Sequence, residues 1–562
     1  MDASNFFMAD SGLALGRSSS YEKVSLHKRY GAVRPADAVG AARRLALAAG
    51  IAISALLAGC GTLPANVAKT DSVALPPSDD SPLVQIANRS IPSAELSGVR
   101  LMPHGLFSLD ARIQLARRAT RSLDVQYYVL ANDPTGRLLM TSLRDAAQRG
   151  VRVRLLVDDL YTGQTDALLR GLASFPNFEV HVFNPFCCAR ESGLVGRFAA
   201  SLLDFSRLNH RMHNKLFIAD GVMVVMGGRN IADEYFLRNT EQNFIDMDAF
   251  LMGTIAREFS AIFDRYWNSE VVYPIQSIGE PIGDKATRRQ QFDATVAGLP
   301  VAPPIDPPDT DVLGYGPIGE ELDSGQLGLI WGKARAFADP PEKLLAMSPK
   351  IAYEMSVTND VMMEVWQAKS ELVLTSPYMI PGEKGIVSFR NLNRDKVKVV
   401  VMTNSLAATD EPLVHNSYSK YRPGMLSAGV DLYELSPTRA QKAKRLGLLG
   451  ASHGRLHAKT AVIDRRLVFV GSMNLDPRSA SANTELGMFF ESPALAKELL
   501  RVVNISKLES AYRVRFAPKT TTLQWLTMEG DEEVILVVEP ESTFWKRVQN
   551  QMLGWFVPEQ LL

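Results

Sequence analysis

The chain is poor in cysteine and has no excess of either charge. It also has no apolar run of the length a membrane-crossing helix needs. Three cysteines in 562 residues cannot build a disulfide framework, and two of them, Cys187 and Cys188, are adjacent, a geometry that seldom bridges. Lys plus Arg and Asp plus Glu both total 61. That balance gives no overall field to attract a polyanion, so no nucleic-acid partner is expected, although a local anion site remains open. The apolar run Leu45 to Leu57 is too short to span a bilayer as a helix. Hydrophobic residues at 46% and charged residues at 22% suit a globular enzyme with room for two core-bearing units.

Histidine is scarce as well, at 8, yet two of the eight open the same skeleton. His213-x-Lys215, four residues and Asp220 return as His457-x-Lys459 and Asp464, and the match continues to Gly227/Gly471 and Asn230/Asn474, always 244 residues apart. One His-x-Lys is weak because chance supplies many, and a lone copy would read equally well as a satisfied histidine beside a surface lysine. Five positions in register make a duplicated half-site the better reading.

Along the chain, residues 1–60 read as a targeting segment. Lys28, Arg29, Arg43 and Arg44 precede the apolar run, which ends in Leu57-Ala-Gly-Cys60. This ending resembles a bacterial lipobox, which implies acylation of Cys60 and a membrane-anchored lipoprotein on the periplasmic side. Gly61 in the next position favours the outer membrane. Residues 61–95, with Pro76-Pro-Ser-Asp-Asp-Ser-Pro82, read as a tether. A first α/β half spans 96–275. It has helix Asp110–Arg121, strand Ser122–Leu130, helix Gly136–Arg149, strand Val151–Asp158 and strand Phe178–Phe183. Strand, helix and strand within about forty residues imply a parallel or mixed sheet. His213 and Lys215 are expected to start a strand whose alternate residues share one side. The turn Gly227-Gly-Arg-Asn230 should enter a helix, Ile231–Phe236, and offer N–H groups to an anion. Residues 276–345, with Pro303-Pro304 and Pro307-Pro308, read as a linker or insertion. The second half, 346–516, repeats the order of the first, including a helix Ser417–Ser427 that contains Pro423. Residues 517–562 form an extension with no assignable chemistry.

Each half therefore offers an imidazole, an ammonium, an amide and a carboxylate. Joined face to face, two imidazoles would flank a pocket lined by Lys215, Lys459, Asn230 and Asn474, an inventory that suits a phosphodiester. Lys and Asn donors offset charge on the phosphoryl oxygens, while one histidine attacks phosphorus and the other handles the proton. Imidazole serves both tasks because its pKa lies near neutrality. The turns after the motifs put Gly228 and Ser472 at the substrate. No ligand cluster calls for a metal, and no cofactor is expected.

The paired motifs resemble the two HxKxxxxD signatures of the phospholipase D superfamily, over nearly all of residues 97–515. Segments such as Leu123-Asp-Val-Gln-Tyr-Tyr, Gly227-Gly-Arg-Asn-Ile-Ala-Asp-Glu-Tyr-Phe236 and Val414-His-Asn-Ser-Tyr-Ser-Lys-Tyr-Arg resemble its bacterial cardiolipin synthase C branch. The resemblance implies two αβα half-domains with mixed sheets, packed as a pseudo-dimer around one active site. It also implies transfer of a phosphatidyl group, through a phosphohistidine, to the hydroxyl of phosphatidylglycerol, with phosphatidylethanolamine as donor. By the family's usual order His213 is the nucleophile and His457 the acid/base. Asp246 and Glu485 fit the acids that orient the histidines. Two other readings stay open: hydrolysis, by a phospholipase D or a nuclease with water as acceptor, and a non-catalytic scaffold, against which two intact motifs speak. The sequence identifies no partner protein.

Overall fold

The computed structural model describes residues 63–64, 67, 69–187, 190, 194–200, 204–279, 283–298, 305–344, 348–442, 452–529 and 532–553. Residues 1–60, expected from the sequence to be a targeting segment ending in Cys60, lie outside them. The first half contributes β1 (Ser97–Met102), β2 (Ser122–Tyr127), β3 (Arg152–Asp158), β4 (Phe178–Phe183), β5 (Leu216–Ala219), β6 (Met223–Gly227), β7 (Gln242–Ile245), β8 (Asp248–Gly253) and β9 (Val272–Pro274). The second contributes β10 (Ile330–Ala338), β11 (Glu371–Thr375), β12 (Lys398–Asn404), β13 (Asp431–Leu435), β14 (His453–Leu456), β15 (Thr460–Ile463), β16 (Leu467–Gly471), β17 (Leu486–Glu491) and β18 (Ala511–Phe516). β19 (Leu523–Glu529) and β20 (Glu532–Leu536) follow.

Apart from β7 and β14, these strands pair in one series, β9-β4-β3-β2-β5-β6-β8-β1 joined to β10-β17-β16-β15-β11-β12-β13-β18-β19-β20. From β1 outwards and from β10 outwards the order is the same, so a pseudo-twofold axis passes between β1 and β10. These two strands pair antiparallel through Gly98 and Trp331. In each half three strands run parallel, β2-β3-β4 and β11-β12-β13. The sheets are mixed, as the βαβ spacing predicts.

Helices Gly105–Arg118 and Pro134–Gln148 cover the outer face of the first sheet with Leu109, Ile113, Leu139 and Leu143. Helix Gly382–Arg394 does the same for the second with Ile386 and Phe389. Between the halves lies one shared core, where Phe259 and Phe263 of helix Thr254–Trp267 join Leu495, Leu499 and Val503 of helix Pro493–Glu509. Burial of this much apolar surface, at roughly 25 cal/mol per Å², makes the two halves a single unit rather than tethered domains.

Four sequence expectations are corrected. The stretch 276–345 is no mere linker, because it supplies β10, the second half's equivalent of β1. The tether 61–95 ends as a packed element. Ser72 and Ala74 donate their N–H groups to Asn268 and Asp264, and helix Pro82–Ser90 buries Leu83, Val84, Ile86 and Ala87. The helix expected at Ile231–Phe236 is a single 3₁₀ turn, Asp233–Tyr235. Here Asp233 is drawn into a reciprocal clamp, its N–H donating to Asp133 and its carboxylate accepting from the Thr135 N–H. The helix read as Ser417–Ser427 starts at Pro412, since a first-turn proline has no N–H that needs a partner, and it runs on through Pro423.

Candidate active site

The two motifs meet because the segments that carry them cross between halves. Met212 forms a parallel bridge with Thr484, so the His213 N–H donates to Thr484 O at 2.8 Å and the Thr484 N–H to Arg211 O at 2.8 Å. Symmetrically, β14 pairs parallel with β7, and the His457 N–H donates to Ile245 O at 2.8 Å. The residue after Thr484 is Glu485 and the residue after Ile245 is Asp246, so each histidine is delivered beside a carboxylate of the opposite half. His213 Nδ1 lies 2.9 Å from Glu485 Oε2, and His457 Nδ1 lies 2.7 Å from Asp246 Oδ2. With both Nδ1 atoms donating outwards, the Nε2 edges remain for a ligand, and the ring centroids stand 6.4 Å apart.

His213-Asn214-Lys215 and His457-Ala458-Lys459 precede β5 and β15 rather than beginning them. That corrects the expected strand start. Each lysine folds back to its own histidine's carbonyl, Lys215 Nζ to His213 O at 2.7 Å and Lys459 Nζ to His457 O. Both lysines are buried, at 0% and 1% exposure. Burial holds the Lys215 ammonium well below its usual pKa and brings Lys459 down to about 8.

The surroundings of the two histidines differ. Burial, then the Lys215 and Lys459 charges, hold His213 well below the usual imidazole range. Its partner Glu485 is pushed up by burial to about 7, with Lys215 and the hydroxyls of Ser472 and Ser479 pulling the other way. His457 is lowered by burial and Lys459, but Asp246 opposes this. Against the upward push of burial, His457, Lys459 and Arg229 hold Asp246 below the carboxylate range. Both imidazoles are thus shifted down, His213 the further, and Asp246 is the counterweight at His457.

Asn230 and Asn474 are both buried, in the turns that follow β6 and β16. Asn230 accepts from the Val129 N–H and donates to Tyr235 OH at 3.0 Å, and Tyr235 in turn packs on His457. The Asn474 N–H donates to Ser479 Oγ, while its Oδ1 is buried without a hydrogen-bond partner among the described residues. In the turns expected to hold an anion, most of the N–H groups already have partners within the protein. The N–H groups of Gly228, Arg229 and Ile231 donate to Met247 O, Asp248 Oδ1 and Val129 O, and that of Ser472 to Leu486 O. Gly228 and Ser472 instead serve the acids. A Cβ on Gly228 would stand 2.2 Å from Asp246 Oδ1, and Ser472 Oγ donates to Glu485.

Asp220 and Asp464 lie outside the cleft, at the far ends of β5 and β15. Asp220 accepts from the N–H groups of Thr120, Arg121 and Ser122 and from Ser81 Oγ. Asp464 repeats this with Lys369, Ser370 and Glu371. Each pins the start of its half's first parallel strand. These two carboxylates, counted with the site residues from the signature but read from the sequence as more structural than chemical, belong to the scaffold. Asp220→Ala should leave the buried Ser122 N–H without its partner, at about 1–3 kcal/mol, and free the part-buried N–H groups of Thr120 and Arg121 to solvent. Urea unfolding should register about 1–3 kcal/mol of lost stability, while the activity of the folded fraction stays within about twofold of wild type.

Sequence reasoning missed the aromatic walls and Ser479. Tyr128 packs edge-on against His213 at 5.1 Å, and Phe244 lies 5.0 Å from His457. Tyr128 falls in a segment that resembles the family and Phe244 lies two residues before Asp246, whereas Ser479 carries no signal. Among the described residues no group of three or more His, Cys, Asp or Glu could hold a metal ion, and no helix is long and apolar enough to cross a membrane.

The cardiolipin synthase, PLD-like domain family matches residues 112–267 and 362–504, the two stretches that carry the motifs. Cardiolipin synthase C of Escherichia coli K12 is 38% identical over 82% of this chain and 96% of its own length. An uncharacterized protein of Helicobacter pylori 26695 is 32% identical over 80% and 87%. The crystal structure of phosphatidylserine synthase from Haemophilus influenzae superposes with a TM-score of 0.51 over 85% of this chain and 99% of that one, at 13% identity, which speaks for the fold alone. With two crossed His-x-Lys half-sites on this fold and these matches along both halves, the chain belongs to the phospholipase D superfamily, in its cardiolipin synthase-type family.

Proposed function

We propose that the chain makes cardiolipin by moving a phosphatidyl group from a donor phospholipid, phosphatidylethanolamine, to the hydroxyl of phosphatidylglycerol. As a member of its family the chain is a phospholipid phosphatidyltransferase. The observation that carries the finer reading is the crossed, unequal pairing of the histidines, His213 with Glu485 and His457 with Asp246.

His213 Nε2 attacks phosphorus, and a P–N bond forms as the P–O bond to ethanolamine breaks. Its Nδ1–H stays on Glu485, which offsets the charge that develops on the ring. Substrate phosphate beside His457 favours that ring's protonated form. The His457 proton passes to the departing ethanolamine oxygen. The neutral His457 then takes the proton of the phosphatidylglycerol hydroxyl as its oxygen attacks phosphorus, and the P–N bond breaks to restore His213. Lys215 and Lys459 balance charge on the non-bridging oxygens.

The test is a product count in mixed vesicles of phosphatidylethanolamine and phosphatidylglycerol. Cardiolipin should be the main lipid formed, with release of free ethanolamine. Phosphatidic acid as sole product would mean that water is the acceptor, and the hydrolytic reading would replace this one.

A further inference from the structure

The C-terminal extension, silent in the sequence, is firmly docked. β19 adds to β18, and Glu539 beyond β20 lies 2.8 Å from His415 Nε2 and 2.6 Å from Arg422 Nη2. Glu541 accepts from Ser436 Oγ at 2.7 Å. Helix Phe544–Leu553 then packs beside helix Pro412–Ser427, and between them opens a cavity of about 380 Å³. One wall carries His415, Asn416, Ser419 and Lys420, and the other Arg547, Asn550 and Gln551. Lys420 is exposed and makes no ion pair among the described residues. Asn550 is 7% exposed, and its Oδ1 has no hydrogen-bond partner among them. The one carboxylate in the lining, Glu539, is already paired with Arg422.

Beside this polar cavity the same helix presents Phe544 and Trp545, 63% and 75% exposed, with Met552 further along. Exposed aromatics flanked by Lys546 and Arg547 are the composition of a helix that lies in a bilayer interface. The helix that forms one wall of the cavity begins nearer the catalytic histidines. Asp410 and Glu411 lead into helix Pro412–Ser427, and Asp410 is near enough to His457 to favour its protonated form. Arg455, two residues before His457, is near enough to Lys546 to disfavour its charge. At 1.5 Å per residue Lys420 stands about 14 Å along the helix from Glu411.

We propose that this cavity is a second lipid subsite. Lys420 and Arg547 take the phosphate and the amides take the hydroxyls of an anionic phosphoglycerol headgroup, while Phe544 and Trp545 enter the bilayer around its acyl chains. This rests on the reading of the chain as an enzyme of phospholipids.

The test uses the full chain with Lys420→Gln and Trp545→Ala, both at exposed positions outside the catalytic cleft. Flotation with phosphatidylcholine vesicles is compared with flotation on vesicles that also contain phosphatidylglycerol, in the presence and absence of soluble glycerophosphoglycerol. Wild type should prefer phosphatidylglycerol by about tenfold or more, and Lys420→Gln should lose most of that preference. Trp545→Ala should bind both kinds of vesicle several-fold more weakly. Turnover of bis(p-nitrophenyl) phosphate should be unchanged in both variants. Undiminished phosphatidylglycerol preference in Lys420→Gln would overturn the subsite. If glycerophosphoglycerol abolished the preference and Trp545→Ala bound vesicles normally, the ligand would be a soluble phosphoester and the lipid assignment would fall. Wild type that shows the preference but makes no cardiolipin would leave the subsite standing and remove the transfer reading instead.

Discussion

His213→Asn should form no covalent phosphoenzyme and lose turnover by about 10⁴-fold or more, on lipid and on activated diester alike. Asparagine keeps a donor where Nδ1–H now meets Glu485 and Ser472 O, so the buried carboxylate is not left unpaired and the fold should hold. What the substitution removes is the Nε2 lone pair. No neighbour can replace it, because Lys215 is turned to the His213 carbonyl and His457 is held by Asp246. The measurement is a rapid-mixing burst with bis(p-nitrophenyl) phosphate, followed by mass analysis of the quenched protein. Wild type should release one nitrophenolate per chain in the first phase, and the variant none. Wild-type-like turnover in His213→Asn would sink the proposed mechanism.

The chemistry-bearing residues were readable because the duplication has a rigid spacing. His, Lys and the distant Asp recur at 244 residues because β5 and β15 have the same length and end in the same tight turn, with Asp220 and Asp464 at φ of 49° and 52°. That same spacing hid the pairing of the acids. Glu485 lies 239 residues beyond Asp246 rather than 244, so the repeat could not align them, and periodicity within one half says nothing about which half a side chain meets. The role of β10 was hidden for a different reason. Its alternate positions Gly332, Ala334, Ala336 and Ala338 are small and much of it is half exposed, so it lacks the β-branched alternation that marks a strand. Its place is set by the edges of β1 and β17, which only the folded chain brings together. The Asp signatures show the limit of motif reading from the other side. Asp220 is as regular in spacing as His213, yet its partners are backbone N–H groups, and regularity alone does not separate chemistry from scaffolding.

In His457→Asn the two half-reactions should come apart. Asparagine can still donate to Asp246, so the buried anion keeps a partner and the fold should survive. What is lost is the group that gives a proton to one alkoxide and takes a proton from the next. Departure of ethanolamine without that proton should slow lipid turnover by about 10²–10⁴-fold. A p-nitrophenyl diester, whose phenolate leaves unprotonated, should still react with His213 at near the wild-type first-step rate. The second step needs a base to activate the incoming hydroxyl, so nitrophenolate release should stop after one equivalent and phosphohistidine should accumulate at His213. The quasi-twofold cleft makes this a stringent test, because either imidazole could in principle attack. Our assignment rests on an electrostatic difference: burial and the two lysines lower His213 further than His457, where Asp246 opposes the downward shift. A burst in His213→Asn with none in His457→Asn would reverse the assignment. A burst in neither variant would mean that the phenolate, too, departs only when both rings are in place.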